Sequence, residues 1–193
     1  MLAGRAVGGQ GVFVQTRLVA TDGSGDVADL AFGGDTTMTD AGGNVRLEIS
    51  VQSPAWARWD RVEVYANAAT LPTAASPFLF GATPSVVLDE GDCNPATLGD
   101  GDFDVSVTPS VGGVPGADRL SASLVVPFSG LAAPTWFVVV VRGTDGQCAP
   151  MFPIYPDDLA QTGNTTLGNL VDGNVGQGGV LALGATNALY FEP

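Results

Sequence analysis

The chain has 193 residues, and it contains no histidine and no lysine. These absences exclude a Ser-His-Asp triad, a Cys-His dyad, a His-ligated metal centre and a P-loop within this chain, because each of them needs one of the two residue types. Seven Arg oppose 20 Asp and Glu, so the net charge is −13, and a field of that sign disfavours nucleic acid and anionic membrane surfaces as partners.

The first half of the chain contains segments that alternate apolar and polar residues. Residues 11–20 predict a strand, and residues 22–26 (DGSGD) predict a turn. Residues 44–52 (NVRLEISVQ) alternate with period two, which is typical of a half-buried antiparallel strand, and Ser53-Pro54 is expected to end it. Arg61–Ala66 repeats the pattern with its valines predicted inward and Glu63 and Tyr65 outward.

The second half adds one segment of a different kind. Residues 136–142 (WFVVVVR) are continuously apolar and β-branched, which predicts a central strand buried on both faces. Further strand candidates are residues 77–80, 84–88, 103–108, 119–128, 151–155, 179–183 and 187–192. About nine or ten short strands with turn residues between them predict an all-β fold, an antiparallel β-sandwich of immunoglobulin-like type. Residues 156–178 form a long polar loop, and loops of that length are usually functional or mobile.

Two cysteines, Cys93 and Cys148, indicate where in or outside the cell the chain is located. An isolated pair in a Gly-rich β chain favours one disulfide and an extracellular or periplasmic location, and two unrelated free thiols are the alternative. Without histidine the pair cannot complete a structural zinc site. The sequence predicts no transmembrane segment, since no apolar run reaches the ~18–20 residues that span a bilayer. The first residues lack a secretory leader pattern, which favours a start inside a longer protein over the alternative, the start of a mature chain.

An acidic segment over residues 89–104 holds six of the 20 acids. Asp100, Asp102 and Asp104 alternate around Gly, and such oxygen ligands could bind Ca²⁺. The EF-hand pattern is not met, because Val111 stands where the bidentate Glu would be. A solvated acidic loop is the alternative interpretation. No other cofactor is predicted, and residues 22–26 are explained by turn chemistry.

Several further residues have a functional and a structural interpretation. Trp56 and Trp59, with Tyr65, could line a sugar-binding platform, but packing in the core is favoured. Neighbouring carboxylates such as Asp60 and Glu63, or those at positions 157 and 158, receive no catalytic role, because adjacency in sequence does not establish a spatial pair. Residues 164–166 match a short glycosylation pattern of the kind that recurs by chance.

Five segments of the chain together resemble one protein family. They are AGRAVGGQGVFVQTRL (3–18), ADLAFGGD (28–35), VRLEISVQSPAWARWDRVEVYANA (45–68), WFVVVVRGTDG (136–146) and ATNALYFEP (185–193). The order and the residues of these segments resemble the C-terminal part of bacterial PHP-domain (polymerase and histidinol phosphatase) metallohydrolases. In that family a metal-dependent catalytic barrel is followed by a β-sandwich, so the resemblance implies an accessory domain with no catalytic residue of its own.

The resemblance also implies a division of the chain. Residues 1–20 would be a tail or strand of a possible upstream hydrolase domain, and residues 21–193 a single sandwich. The predicted function is therefore a non-catalytic accessory domain of a secreted metal-dependent hydrolase. The alternative is a free-standing secreted module that binds a partner or self-associates, such as an adhesion, surface-layer or filament subunit, stabilised by Ca²⁺.

Overall fold

A computed structural model describes part of the chain, namely residues 8–21, 26–31, 37–39, 43–67, 84–113, 117–144, 147–148, 151 and 181–192. None of these residues is helical, and they form twelve strands. In chain order the strands are β1 (Gly8–Gln10), β2 (Phe13–Thr21), β3 (Asp26–Ala31), β4 (Thr37–Thr39), β5 (Val45–Pro54), β6 (Arg61–Ala66), β7 (Val86–Asp89), β8 (Ser106–Thr108), β9 (Arg119–Phe128), β10 (Thr135–Arg142), β11 (Leu183–Ala185) and β12 (Leu189–Glu192). The described part therefore contains no helix that could cross a membrane.

One sheet has five strands in the order β3-β2-β5-β9-β8, and all of its pairs are antiparallel. The central strand β5 has the predicted alternation, with every second residue from Val45 onward buried. It is longer than predicted, because Ser53 and Pro54 still pair with β9. Proline is tolerated at a strand end, where the chain then turns as the amide of Ala57 donates to the carbonyl of Pro54.

The other sheet has seven strands arranged around β10. Strand β6 pairs along one side of β10, and β11 and β12 pair end to end along the other side. Residues 137–141 of β10 are all buried, so the predicted central strand with two buried faces is confirmed. Strand β12 also forms a parallel pair with β4, which differs from the antiparallel pairing elsewhere.

Thr186 bridges the gap between β11 and β12. Its amide donates to the carbonyl of Val139, and the amide of Val139 donates to the Thr186 hydroxyl, both at 3.0 Å. The side chain thus replaces a missing backbone acceptor, and β11 and β12 act as one interrupted strand beside β10.

The core lies between the two sheets. Buried residues of both sheets form one continuous apolar cluster, and the rings of Phe128 and Phe137 meet across it with centroids 4.8 Å apart. This arrangement confirms an all-β sandwich. Alternation places Tyr65, Val138 and Val140 on the opposite face of the seven-stranded sheet, where they form a second buried cluster. Tyr65 therefore faces away from the core as predicted but is not exposed to solvent.

Some sequence-based expectations concern short or undescribed segments. Strands β1, β3 and β4 were not among the predicted elements, and the boundary predicted at residue 20 falls inside β2. The strand candidate at residues 77–80, most of the candidate at 151–155 and the long loop at 156–178 lie outside the described residues.

Candidate functional site

Three adjacent strands of the seven-stranded sheet end at the same place. In the registers, Arg61 at the start of β6 lies opposite Asp89 at the end of β7 and opposite Arg142 at the end of β10. The residues just beyond these ends, Asp60 and Glu90 among them, therefore come close together. We describe this end of the sheet as the candidate site.

A disulfide closes the candidate site. Cys93, in the loop after β7, is bonded to Cys148, in the segment after β10, with their Cα atoms 5.2 Å apart. Both residues are buried. The predicted disulfide is thus confirmed, and it fixes the acidic loop to the end of the central strand.

Asp60 connects the segments that meet beneath the disulfide. Its side chain is buried and accepts hydrogen bonds from Thr144, one from the backbone amide at 2.7 Å and one from the hydroxyl. Its backbone carbonyl accepts from the amide of Glu90 at 2.7 Å. Since both carboxylate oxygens have donors, Asp60 has a structural role in holding the start of β6 against the segment after β10.

A set of metal-ligand atoms occurs at the same place, but it cannot bind a metal as it stands. One carboxylate oxygen of Asp60 and the sulfurs of Cys93 and Cys148 lie within 4.8 Å of one another. The sulfurs are bonded to each other and so are not thiolates, the form that binds metals. Elsewhere in the described part no three His, Cys, Asp or Glu ligand atoms come so close, and this includes the predicted trio of Asp100, Asp102 and Asp104.

The predicted trio helps to shape the acidic loop. Asp102 accepts from the amide of Asp89 at 3.0 Å, and Asp104 accepts from the amide of Gly99 at 2.7 Å. Asp100 instead packs against Gly91, where one of its carboxylate oxygens lies 2.5 Å from the place that a Cβ would occupy. Gly91 has φ +113°, a conformation that favours glycine, and any other residue here would also displace the Asp100 carboxylate.

Glu90 is the most unusual residue of the candidate site. It is 1% exposed, and neither carboxylate oxygen accepts a hydrogen bond of normal geometry among the described residues, although the backbone amide of Cys93 lies near enough to favour the charged form. Burial, followed by the charges of Asp100 and Asp92, raises its pKa to about 7, and the Cys93 amide offsets these effects only in part. A buried carboxylate without a partner is costly, so it needs either a proton or a cation.

The aromatic residues divide between the core and the surface. Trp59 is buried, donates to the Ser53 hydroxyl at 3.1 Å and stacks on Phe103 with ring centroids 5.7 Å apart. Trp56 is 55% exposed. Core packing thus describes Trp59 but not Trp56, and the two rings do not form one exposed platform.

The second face of the seven-stranded sheet holds a buried polar group. Tyr65 donates its hydroxyl to Glu63 at 2.8 Å, and burial, together with this hydrogen bond, raises the pKa of Tyr65. The guanidinium of Arg142 donates to the other oxygen of Glu63 at 2.7 Å and 3.0 Å. Asp60 and Glu63 therefore bond to different partners, and they do not act as one carboxylate pair.

A shallow groove of about 340 Å³ lies at the end of the other sheet, where β2, β5 and β9 meet. It is lined by Gly11, Phe13, Gln52, Ser53, Pro54, Ala117, Asp118 and Arg119. Phe13 is 49% exposed, and the ring of Trp56 lies next to Gly11 at one side of the groove.

The sequence analysis named Asp60 only as a neighbour of Glu63 without a catalytic role, and it did not single out Glu90 or Thr144. Glu90 was counted within the acidic segment, but no periodicity distinguishes it from the exposed acids around it. The only available signal was its position directly after an apolar strand. The paired carboxylates at 157 and 158, the pattern at 164–166 and the turn at 22–25 lie outside the described residues.

Comparisons with known proteins add no relative. No family model, no curated protein and no solved structure matched the chain.

Proposed function

We propose that this chain is a non-catalytic accessory domain, an immunoglobulin-like β-sandwich of the kind that accompanies the barrel of secreted PHP-type metal-dependent hydrolases. One observation supports it. The segments that resemble the family are far apart in sequence, yet they supply strands that pair with one another, namely β2 with β5, β6 with β10, and β10 with β12. The resemblance therefore follows the framework of the sandwich rather than its loops.

The chemistry of the described residues is compatible with an accessory role. Asp60, just before β6, bonds to Thr144, and Glu63, within β6, bonds to Tyr65 and Arg142. The disulfide between Cys93 and Cys148 supports an extracellular or periplasmic location, since such bonds persist in oxidising compartments. In this proposal the catalytic metal and its histidine ligands belong to another domain of the same polypeptide.

The test compares this chain with the longer polypeptide encoded by its reading frame. We expect the chain alone to unfold cooperatively and to hydrolyse no phosphomonoester or phosphodiester substrate above a metal-only blank with Mn²⁺, Zn²⁺ or Fe²⁺. The longer polypeptide should contain an upstream His-rich domain and show metal-dependent turnover. Metal-dependent turnover by this chain alone, or a reading frame in which only a leader precedes it, would refute the proposal.

A free-standing secreted binding or structural module is the second candidate. The groove beside Phe13 and Trp56 favours it, because half-exposed aromatic rings next to polar side chains are common in binding sites. Size-exclusion chromatography tests whether the chain is a filament or surface-layer subunit. Such a subunit should self-associate as its concentration rises, whereas a chain that stays monomeric disfavours that role.

A further inference from the structure

Most carboxylates of the acidic loop already have partners. Asp89 accepts from the amide of Gly91 and pairs with Arg61 at 2.7 Å. Asp92 accepts from the amide of Asn94 and from the hydroxyl of Thr97. Together with the bonds of Asp102 and Asp104 described above, these interactions fold the loop upon itself. Two carboxylates are left without a hydrogen bond of normal geometry among the described residues: Glu90, which is buried, and Asp100, which is exposed.

Glu90 and Asp100 belong to chain segments that lie side by side. The amide of Asp89 donates to Asp102, and the amide of Asp102 donates back to the carbonyl of Asp89 at 2.6 Å. At Gly101 an added Cβ would collide with the backbone carbonyls of Asp89 and Glu90. The two segments are thus packed too closely for a side chain at the glycine, and this packing holds Asp100 near Glu90.

Glu90 and Asp100 lack a positively charged partner. Asp100 is the charge that acts most strongly on Glu90, and Asp92 comes next. No Arg of the described residues pairs with Glu90 or Asp100, and Arg61 is held by Asp89. A buried carboxylate beside a second carboxylate is stabilised by a cation that both can bind.

We propose that Glu90 and Asp100 bind one Ca²⁺ ion at the base of the acidic loop, with loop oxygens and water as the remaining ligands. The donors are all oxygen atoms, which suits a hard cation, and the Cys93–Cys148 disulfide excludes thiolate ligands. Ca²⁺ fits better than Mg²⁺, because it accepts irregular geometry from a loop, whereas Mg²⁺ requires a near-ideal octahedron. This site differs from the trio predicted from sequence, since it adds Glu90 and depends on Asp100 alone among the three.

The expected affinity is modest. Only two carboxylates contribute charge, and Ca²⁺ sites of extracellular modules with few charged ligands have dissociation constants of about 10⁻⁴ to 10⁻³ M. At roughly ten times the dissociation constant, Ca²⁺ should raise the melting midpoint by about 3–5 °C. The proposal holds for an accessory domain and for a free-standing module alike, so its outcome does not depend on the function proposed above.

The experiment measures Ca²⁺ binding by calorimetry and by thermal melts of the intact disulfide-bonded chain near neutral pH. We expect one site per chain, a rise in the midpoint with CaCl₂, and a smaller rise with MgCl₂ at the same concentration. Glu90→Gln and Asp100→Asn should each weaken Ca²⁺ binding at least tenfold. The matched control is Glu48→Gln, which removes one carboxylate charge from a surface pair with Arg17 and Arg46, and it should bind Ca²⁺ like the wild type.

A second measurement keeps the proposal testable if a variant fails to fold. Tb³⁺ bound to wild-type chain at this loop should be sensitised by Trp59, which stacks on Phe103 of the same loop, and Ca²⁺ should displace it. The proposal is overturned if the wild type shows neither binding heat nor a Ca²⁺-dependent midpoint. It is equally overturned if Glu90→Gln and Asp100→Asn respond to Ca²⁺ as the wild type does.

Discussion

Glu90 shows how one residue can make the stability of the whole domain depend on pH. Its pKa is raised from 4.5 to about 7 in the folded protein, first by burial and then by Asp100 and Asp92. The folded state therefore binds a proton that the unfolded state has already lost between these two pH values. Stability from this proton is complete below about pH 4.5 and is lost as pH rises through about 7, by roughly 3 kcal/mol in total.

The first prediction follows for the Ca²⁺-free protein. In EDTA, Glu90→Gln should be more stable than the wild type at about pH 8, where the wild-type carboxylate is charged, and about equally stable at about pH 5, where that carboxylate is protonated. Urea unfolding at both pH values measures the difference. Glu48→Gln, whose carboxylate is partly exposed and paired with Arg17, should not show this pattern. A pH-independent difference between wild type and Glu90→Gln would contradict the assignment.

For individual residues, the sequence predicted the disulfide bond, but it did not predict which charged side chains are buried. Two cysteines allow only one disulfide, and the Gly-rich β composition favoured that bond over the alternative of two free thiols; the structure confirms it. The burial of Glu90 and Asp60 could not be predicted in the same way. It depends on where three strands end relative to one another, and that register is set by pairs remote in sequence, such as Arg61 with Asp89.

Among the elements, the strands whose sequences alternate apolar and polar residues were the predictable ones. Strands β6 and β9 begin and end where their alternating patterns do. Strands β1 and β4 have three residues each, GGQ and TMT, which is too short for a period to be recognised. The continuous apolar run of β10 indicated a strand with two buried faces, but not that β11 and β12 share one of its sides.

The disulfide is the element-scale feature whose removal should have the largest effect. It closes a loop of 55 residues, which corresponds to a stabilisation of about 4 kcal/mol in the chain-entropy model. The double variant Cys93→Ala/Cys148→Ala should therefore melt about 8–16 °C below the wild type. Scanning calorimetry with and without reductant measures this: reductant should lower the wild-type midpoint toward that of the variant and leave the variant unchanged. An unchanged wild-type midpoint after complete reduction would contradict this role.

For the whole molecule, the dominant property is a net charge of −13. Repulsion among like charges destabilises a compact state, and it is screened as the Debye length falls from about 30 Å at 0.01 M salt to about 8 Å at 0.15 M. The salt bridges that Glu48, Asp89 and Glu63 form with arginines are all at least partly exposed on one side and should lose little stabilisation by comparison.

We therefore expect the melting midpoint to rise as NaCl increases over this range, by a few degrees, and then to level off. The measurement is made in EDTA, so that traces of Ca²⁺ do not contribute. Choline chloride at equal ionic strength is the control, because screening depends on ionic strength and not on the identity of the cation. A midpoint that falls with added salt would show that attractive pairs outweigh the repulsion.

The lateral edges of the two sheets have a consequence for assembly. Three of the strands at these edges, β1, β4 and β8, have only three residues each, and β7 has four. Such short strands offer few unpaired amides and carbonyls to an incoming chain, and short edges are one way in which proteins resist edge-to-edge aggregation. The remaining edge strand among the described residues, β3, has six residues and pairs with β2 alone. If copies of this molecule associate by adding a strand, we therefore expect them to do so at β3 and not at β1, β4, β7 or β8.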